Sequence, residues 1–276
     1  MKKTRPEMIP FTKLSATGND FILFERETSG LSGKEYDFFR DICARRTGIG
    51  ADGILLLEPD AKAHFRMRYY NADGRPSEMC GNGARAAAFY AYRAGLAPQQ
   101  PQFVIGEDRL RANVKDRQVA LTLQMPQQVD LAPGALQHSD FEEVGFAITG
   151  VPHYVLLAPE VDAVPVVELG RFYRHADAFA PRGTNVNFVQ RIDERRFKIR
   201  TYERGVETET LACGTGVVSS AYLLRARLEL DFPLTFETRG GRLAVDEDAQ
   251  TGQPVLSGEV RMLYRGDILT EFFETW

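Results

Sequence analysis

The sequence predicts an α+β fold of two pseudo-symmetric lobes, in each of which a curled mixed β-sheet wraps around a central helix. Three observations support this prediction. The second half of the chain repeats the motifs of the first half in the same order, and short strand-like segments fill both halves. Each half also has one segment that begins with a cysteine and is apolar on most sides. A helix that is apolar all round is a buried helix, and a curled sheet can bury it.

The composition narrows the class of protein. The chain has 276 residues, of which 43% are apolar, so it can build one large core or two medium ones. A net charge of -4 does not suggest a nucleic-acid partner. No apolar run could span a bilayer, and no secretion signal is expected at the basic start. Three cysteines without a CxxC pair fit neither a disulfide framework nor a zinc site, so we expect a cytoplasmic protein with reduced thiols and no metal.

The first half predicts a hairpin followed by alternating helices and strands. The turn-like Thr17-Gly18-Asn19-Asp20 separates two apolar stretches and predicts a hairpin over residues 11–24. Ser32 is expected to cap a helix over residues 34–46, and an alanine-rich helix is expected over residues 83–95. Further strands are expected over residues 54–58, 65–70, 102–105 and 119–123.

The second half repeats this order. Its matching segments are the turn Thr149-Gly150-Val151-Pro152-His153, a helix over residues 167–175, a loop over residues 181–185, a strand over residues 197–203 and the turn Cys213-Gly214-Thr215-Gly216. We therefore expect an N-terminal lobe of residues 1–124 plus 261–276 and a C-terminal lobe of residues 125–260. The stretch after Val260 lies beyond the second repeat and is expected to return to the first lobe as an edge strand.

The chemistry is concentrated at the two turns that contain Cys-Gly-x-Gly. Cys80-Gly81-Asn82-Gly83 and Cys213-Gly214-Thr215-Gly216 each precede a predicted helix. A helix N-terminus offers unpaired N–H groups and a partial positive charge, which favour a thiolate and bind carboxylates. We expect the two cysteines to face each other across one site. A thiolate on one face of a stereocentre and a thiol on the other are the acid and base that an inversion requires.

The quoted motifs resemble those of the diaminopimelate epimerase family. The matching pieces are Thr17-Gly18-Asn19-Asp20-Phe21, Asn71-Ala72-Asp73-Gly74, Met79-Cys80-Gly81-Asn82-Gly83-Ala84-Arg85, Glu203-Arg204-Gly205 and Glu209-Thr210-Leu211-Ala212-Cys213-Gly214-Thr215-Gly216. The resemblance implies a cofactor-independent epimerase that interconverts LL- and meso-diaminopimelate in lysine and peptidoglycan precursor synthesis. It also implies the two-lobed fold and a homodimer.

The resemblance further implies a role for each matching residue. Cys80 and Cys213 would be the acid and base, and His153 and Glu203 would each lie near one thiol. The groups that would hold the reacting carboxylate are Gly81, Asn82, Gly214 and Thr215. The residues that would bind the rest of the substrate are Asn19, Asn71, Asn185, Glu203 and Arg204.

Two other functions are compatible with the same residues. One is an epimerase or racemase of another amino acid, such as a proline-type substrate, because Val151 stands where the family usually has asparagine. The other is a redox or ligand-binding protein that uses the cysteine pair as a switch, although no CxxC pattern supports it.

Overall fold

The chain divides into two units. In the computed structural model, residues 8–77, 80–135, 138, 140–269 and 271 are described. One unit contains Met1–Leu121 with Glu259–Trp276, and the other contains Thr122–Gly258. Glu78 and Met79, which precede Cys80, lie outside the described residues, as do positions 270 and 272–276 of the C-terminal stretch.

The described residues of the first half form eight strands and three helices. The strands are β1 (Met8–Ala16), β2 (Asn19–Glu25), β3 (Gly53–Glu58), β4 (Phe65–Asn71), β5 (Pro76–Ser77), β6 (Gln102–Ile105), β7 (Asp108–Lys115) and β8 (Gln118–Thr122). The helices are α1 (Arg26–Ser29), α2 (Tyr36–Cys43) and α3 (Gly81–Arg93). The predicted strands and the alanine-rich helix are therefore present, whereas β7 was not predicted.

The predicted hairpin is confirmed. Strands β1 and β2 pair antiparallel from Thr12 opposite Leu23 to Ala16 opposite Asn19. Thr17 and Gly18 turn the chain with positive φ angles of 49° and 86°. The sheet then becomes mixed, because β2 runs parallel to β3 and β4 runs parallel to β6, while β3 and β4 are antiparallel.

The helix predicted over residues 34–46 is shorter at both ends, and Ser32 does not cap it. Helix α2 begins after Glu35, whose carboxylate accepts the N–H groups of Ser32, Gly33 and Lys34 at 2.8–2.9 Å. This carboxylate thus holds residues 32–34 in a loop. At the other end Ala44 is already extended, with φ -62° and ψ 123°.

Helix α3 is the centre of the first unit. Its residues from Gly81 to Ala91 are all buried, and it packs against β1, β2, β3, β4 and β7. Small alanine side chains at positions 86, 87 and 88 allow the surrounding strands to approach closely on several sides. The prediction of a sheet around a buried helix is confirmed for this unit.

The second half forms the same succession of elements. Its strands are β9 (Gln127–Asp130), β10 (Glu142–Thr149), β11 (Val151–Leu157), β12 (Asn185–Arg191), β13 (Arg196–Glu203), β14 (Thr208–Thr210), β15 (Leu234–Thr238), β16 (Gly241–Glu247) and β17 (Pro254–Leu269). Its helices are α4 (Val166–Arg174) and α5 (Gly214–Leu228), with short 3₁₀ turns at Val161–Ala163 and Asp177–Phe179. Helix α5 is buried over most of its length and packs against β10, β11, β12 and β16.

The strand pairings confirm the internal repeat. Strands β10 and β11 form an antiparallel hairpin, β11 runs parallel to β12, and β13 runs parallel to β15. These are the pairings of β1 with β2, β2 with β3, and β4 with β6. Phe21 lies opposite Gly53 in the first unit as His153 lies opposite Asn185 in the second.

The last strand differs from the expected edge strand. Strand β17 begins at Pro254, earlier than Val260, and runs to Leu269. In the first unit it pairs antiparallel with β1, from Met8 opposite Leu269 to Ala16 opposite Val260. It also pairs with β8, where the Val260 N–H donates to the Arg117 carbonyl, so this strand is bonded on both sides. In the described part of the chain no helix has the length and apolar character needed to cross a membrane.

Candidate active site

The first Cys-Gly-x-Gly turn places Cys80 at the start of helix α3. Cys80 is the N-cap residue, with extended backbone angles of φ -129° and ψ 108°. The Gly83 N–H donates to its Sγ at 3.3 Å. A sulfur that accepts a backbone N–H at the positive end of a helix is stabilised as a thiolate.

A directional chain of hydrogen bonds lies beside this turn. Arg85 Nη2 donates to Asn82 Oδ1 at 2.5 Å, and Asn82 Nδ2 donates to Asn19 Oδ1. Asn19 Nδ2 then donates to Asp52 Oδ2 at 3.0 Å. An obligate donor at one end and a carboxylate at the other determine the orientation of both amides. Two predicted substrate-binding residues, Asn19 and Asn82, are thereby brought together.

Arg85 is a fully buried cation behind the Cys80 turn. Its Nη2 also donates to Thr17 Oγ1 at 3.1 Å, while Nε and Nη1 have no hydrogen-bond partner among the described residues. Burial lowers the pKa of Arg85 to about 10, and the charge of Cys80 acts in the opposite direction. The interaction is reciprocal, so the cation favours the thiolate form of Cys80.

Four charged residues attach the hairpin turn to the following loop. Lys13 Nζ lies 2.7 Å from Asp20, and Arg45 lies 2.8 Å from Asp20 and 2.7 Å from Asp52. Burial of Asp20 opposes ionisation, but hydrogen bonds and charges from Arg45 and Lys13 lower its pKa to about 2. This network supports Asp52, the acceptor at the end of the Asn82–Asn19 chain.

The second Cys-Gly-x-Gly turn places Cys213 at the start of helix α5 in a more enclosed setting. Cys213 is 8% exposed and is again an extended N-cap residue. Its Sγ lies 3.5 Å from Thr215 Oγ1, and its thiol is hydrogen-bonded to Glu203. Glu203 also accepts the Thr210 hydroxyl at 2.5 Å.

The environment of Cys213 favours the thiol. Burial raises its pKa well above the ordinary value, and the charge of Glu203 adds to this effect. The hydrogen bonds from Thr215 and from the Gly216 N–H act in the opposite direction. Burial also raises the pKa of Glu203, whereas the hydrogen bonds from Thr210 and Cys213 lower it.

His153 reaches the same turn through Thr215. Its Nε2 lies 3.0 Å from Thr215 Oγ1 and its Nδ1 lies 3.3 Å from Asn187 Nδ2. The imidazole is fully buried, and burial followed by the charge of Arg204 lowers the pKa of His153 to about 3. His153 and Glu203, each expected near one thiol, thus both belong to the surroundings of Cys213 within the second unit.

Asn185 connects the start of β12 to the segment that carries Arg204. Its Oδ1 accepts the Arg204 N–H at 2.7 Å and its Nδ2 donates to the Pro152 carbonyl at 3.1 Å. The Arg204 guanidinium donates to the Arg182 carbonyl at 3.3 Å. Both ends of the Asn185 amide are occupied by backbone groups, so this residue positions the backbone that precedes Arg204.

Comparison with known proteins identifies the family. The family described as Diaminopimelate epimerase matches residues 11–128 and 145–263. The diaminopimelate epimerase of Aquifex aeolicus (strain VF5) is 37% identical, over 96% of this chain and 99% of the relative. That of Chlorobaculum tepidum is 38% identical, over 92% of this chain and 99% of the relative.

The chain belongs to the diaminopimelate epimerase family.

Solved structures confirm the fold at lower identity. A phenazine biosynthesis protein of the PhzF family from Bacillus anthracis aligns with a TM-score of 0.74 at 16% identity, over 96% of this chain and all of that one. A hydroxyproline epimerase from Agrobacterium vitis aligns with a TM-score of 0.69 at 14% identity, over 99% of this chain and 94% of that one. The predicted fold class, typical of the diaminopimelate epimerase family, is therefore confirmed.

The remaining predicted residues have simpler surroundings. Gly81, Gly214 and Thr215 lie in the first turns of α3 and α5, where helix N–H groups point outward. Asn71 ends β4 opposite Gly53, with an exposed side chain. Among the described residues no group of three or more His, Cys, Asp and Glu side chains could hold a metal ion.

Three residues of these surroundings were missing from the sequence-based site. Arg85, Asn187 and Thr201 are buried polar side chains. Arg85 contacts Asn82 and Asn187 contacts His153, both predicted site residues, whereas Thr201 contacts Asn187. The sequence could have indicated Asn187, because it lies two residues after the predicted Asn185 on a strand, where alternate side chains share a face. Arg85 stands next to the apolar run over residues 86–89 of a buried helix, and a cation at such a position requires a special partner.

Proposed function

We propose that the chain is a cofactor-independent amino acid epimerase that interconverts LL- and meso-diaminopimelate, with Cys80 and Cys213 as the acid and base. One observation carries the proposal: each repeat places a thiol as the N-cap of a buried helix. The membership of the diaminopimelate epimerase family supplies the substrate. The products would serve lysine and peptidoglycan precursor synthesis.

The proposed reaction transfers a proton at the α-carbon. One cysteine, as thiolate, removes the α-proton, and the other, as thiol, delivers a proton to the opposite face. The carbanion between these steps is stabilised when its carboxylate accepts helix N–H groups, for which Gly81, Asn82, Gly214 and Thr215 are the candidates. The reverse direction uses the same two groups with their protonation states exchanged.

The surroundings of Cys213 fit an acid that must also serve as a base. Glu203 accepts the thiol hydrogen, while Thr215 and the Gly216 N–H offer hydrogen bonds to the thiolate. Each protonation state thus has its own partners. In the first repeat, the charge of Arg85 favours the thiolate form of Cys80.

The substrate's second amino acid end is assigned to Asn19, Asn71, Asn185, Glu203 and Arg204. Arg204 supplies a cation for a carboxylate, and the hydrogen bond from its N–H to Asn185 orients the segment that carries it. Val151 occupies the position where the family usually has asparagine, and an apolar side chain there would also suit a smaller, proline-type substrate. A panel of chiral amino acids distinguishes the two substrates directly.

We also propose a cytoplasmic homodimer. In the first unit Met8 and Leu269 are opposite each other in the β1–β17 register and are 54% and 46% exposed. Leu263 and Tyr264 on β17 are exposed to a similar extent, 50% and 48%. Apolar side chains grouped on paired strands are typical of a surface that another protein chain covers. Analytical ultracentrifugation of the wild type and of a Leu269→Glu variant tests this assignment.

The decisive assay is solvent deuterium exchange with diaminopimelate in D₂O. We expect deuterium at the α-carbon together with inversion, and we expect Cys80→Ala and Cys213→Ala to abolish interconversion. Cys43→Ala is the matched control, because burial raises the pKa of the Cys43 thiol to about 12 and it lies outside the two turns. Full activity in both Cys80→Ala and Cys213→Ala would exclude the two-base reaction. A reversible disulfide without α-proton exchange would instead indicate a redox switch.

A further inference from the structure

Four polar side chains form a hydrogen-bonded row behind the start of helix α5. Thr201 Oγ1 donates to Asn187 Oδ1 at 3.0 Å, and Asn187 Nδ2 lies 3.3 Å from His153 Nδ1. His153 Nε2 then lies 3.0 Å from Thr215 Oγ1. Asn187 and His153 have no exposed surface and Thr201 is 4% exposed, so water does not compete for the hydrogen bonds among these three residues, whereas Thr215 is partly exposed.

The orientation of the Asn187 amide follows from a backbone group. Asn187 Nδ2 also lies 3.1 Å from the Tyr154 carbonyl oxygen. A carbonyl oxygen can only accept, so the NH₂ end of the amide faces Tyr154. The same NH₂ group faces His153 Nδ1, which must therefore be the acceptor in that hydrogen bond.

This direction determines the protonation state of the imidazole. A proton on Nδ1 would face the NH₂ group of Asn187, and two donors would meet in a buried site. The imidazole is therefore neutral and carries its hydrogen on Nε2. From there it donates to Thr215 Oγ1, and the hydroxyl hydrogen of Thr215 is directed to Cys213 Sγ, 3.5 Å away.

We propose that Asn187 is a positioning residue that holds His153 as the neutral Nε2–H tautomer, so that Thr215 donates its hydroxyl hydrogen to the Cys213 thiolate. His153 then acts as a fixed hydrogen-bond donor and not as a proton acceptor for the thiol. Burial, which lowers the pKa of His153 to about 3, supports the neutral form. Glu203 is left as the group that accepts the hydrogen of the Cys213 thiol.

The row gives the Cys213 site a donor and an acceptor on separate side chains. When Cys213 is a thiolate, the Thr215 hydroxyl stabilises it. When Cys213 is a thiol, it donates to Glu203. This inference rests on the proposed epimerase function for its catalytic meaning, but the tautomer of His153 can be measured independently of any activity.

The first test is ¹⁵N NMR of the histidine side chains in the wild type. The chain has four histidines, and a His153→Gln spectrum identifies the His153 signals by their absence. We expect a neutral Nε2–H imidazole that does not titrate between about pH 5 and 8, where an ordinary histidine does. An Nδ1–H tautomer, or a titration in that range, would overturn the proposal even if the epimerase activity is present.

The second test is Asn187→Asp, which keeps the shape and replaces the donor by an acceptor. A carboxylate beside Nδ1 favours a proton there, so we expect the tautomer to switch or the imidazole to become charged. An unchanged Nε2–H spectrum in a folded Asn187→Asp protein would show that Asn187 does not position His153.

The third test compares Thr215→Val with Thr215→Ser, which removes or retains the hydroxyl while both variants keep the backbone N–H. In Thr215→Val we expect the alkylation of Cys213 to have a pH midpoint above that of the wild type. We also expect kcat to fall roughly tenfold, because one hydrogen bond to a charged group is lost. Thr215→Ser should restore both, with KM little changed. Equal midpoints in the two variants would refute the donation to Cys213.

Discussion

The two Cys-Gly-x-Gly turns allow one substitution to be compared at two equivalent positions, Gly83 and Gly216. An alanine Cβ at Gly216 would lie 2.3 Å from Asn187 Oδ1 and 3.3 Å from His153 Nδ1, so Asn187 would have to move. At Gly83 it would lie 3.1 Å from a Leu55 methyl group and 3.5 Å from Cys80 Cβ, which a small movement of leucine relieves. The same change should therefore be costly in the second repeat and nearly neutral in the first.

The magnitudes follow from the contacts. Replacing glycine by alanine in a helix gains up to about 1 kcal/mol at either position. At Gly216 this gain is offset by overpacking, about 1–3 kcal/mol, and by disruption of the buried Asn187 hydrogen bonds, about 1–3 kcal/mol. We expect Gly216→Ala to reduce the free energy of unfolding by about 2–4 kcal/mol, and Gly83→Ala to change it by less than about 1 kcal/mol.

Urea unfolding of both variants, followed by circular dichroism, measures this difference, and the ¹⁵N spectrum of His153 shows whether the Asn187 contact is broken. Equal unfolding midpoints for Gly216→Ala and Gly83→Ala would mean that Asn187 moves without cost. In that case the inferred rigidity of the row behind helix α5 would be wrong.

Three further changes each test a single charge, one in the network beside the hairpin turn and two near the thiols. The pKa of Asp20 is about 2 in the folded protein against an ordinary 3.8. The stability that ionised Asp20 gives the folded protein is therefore complete above about pH 4 and is lost as the pH falls from 3.8 to 2. Across that pH range the urea midpoint of Asp20→Asn should fall less than that of the wild type. Arg85→Met removes a buried cation whose desolvation is unfavourable, but it also leaves Asn82 Oδ1 without its donor, so we expect the free energy of unfolding to change by less than about 3 kcal/mol. Alkylation of Cys80 should move to higher pH, and unchanged alkylation would contradict the proposed electrostatic role. Glu203→Gln removes the charge that opposes ionisation of Cys213, so alkylation of Cys213 should move to lower pH and kcat should fall, and an upward move would contradict the assignment.

The sequence by itself determined the repeat, the fold class and the position of the two Cys-Gly-x-Gly turns. These are local properties, because glycine spacing, an N-cap position and the apolar character of a helix can be read within a few residues. The helix over residues 34–46 shows the limit of such reasoning. Ser32 has the residue type of a helix cap, but the nearby Glu35 carboxylate bonds the loop N–H groups first, and α2 begins only at Tyr36.

Only the tertiary structure decided which side chains surround each thiol. Arg85 reaches Thr17 and Asn82, and Asn187 reaches Tyr154 and His153, through contacts between segments that are distant in sequence. Burial gives these contacts their chemical effect, because it lowers the pKa of His153 and raises that of Cys213. The sequence names the two thiols, whereas strand register and burial determine the hydrogen-bond partners that control their protonation.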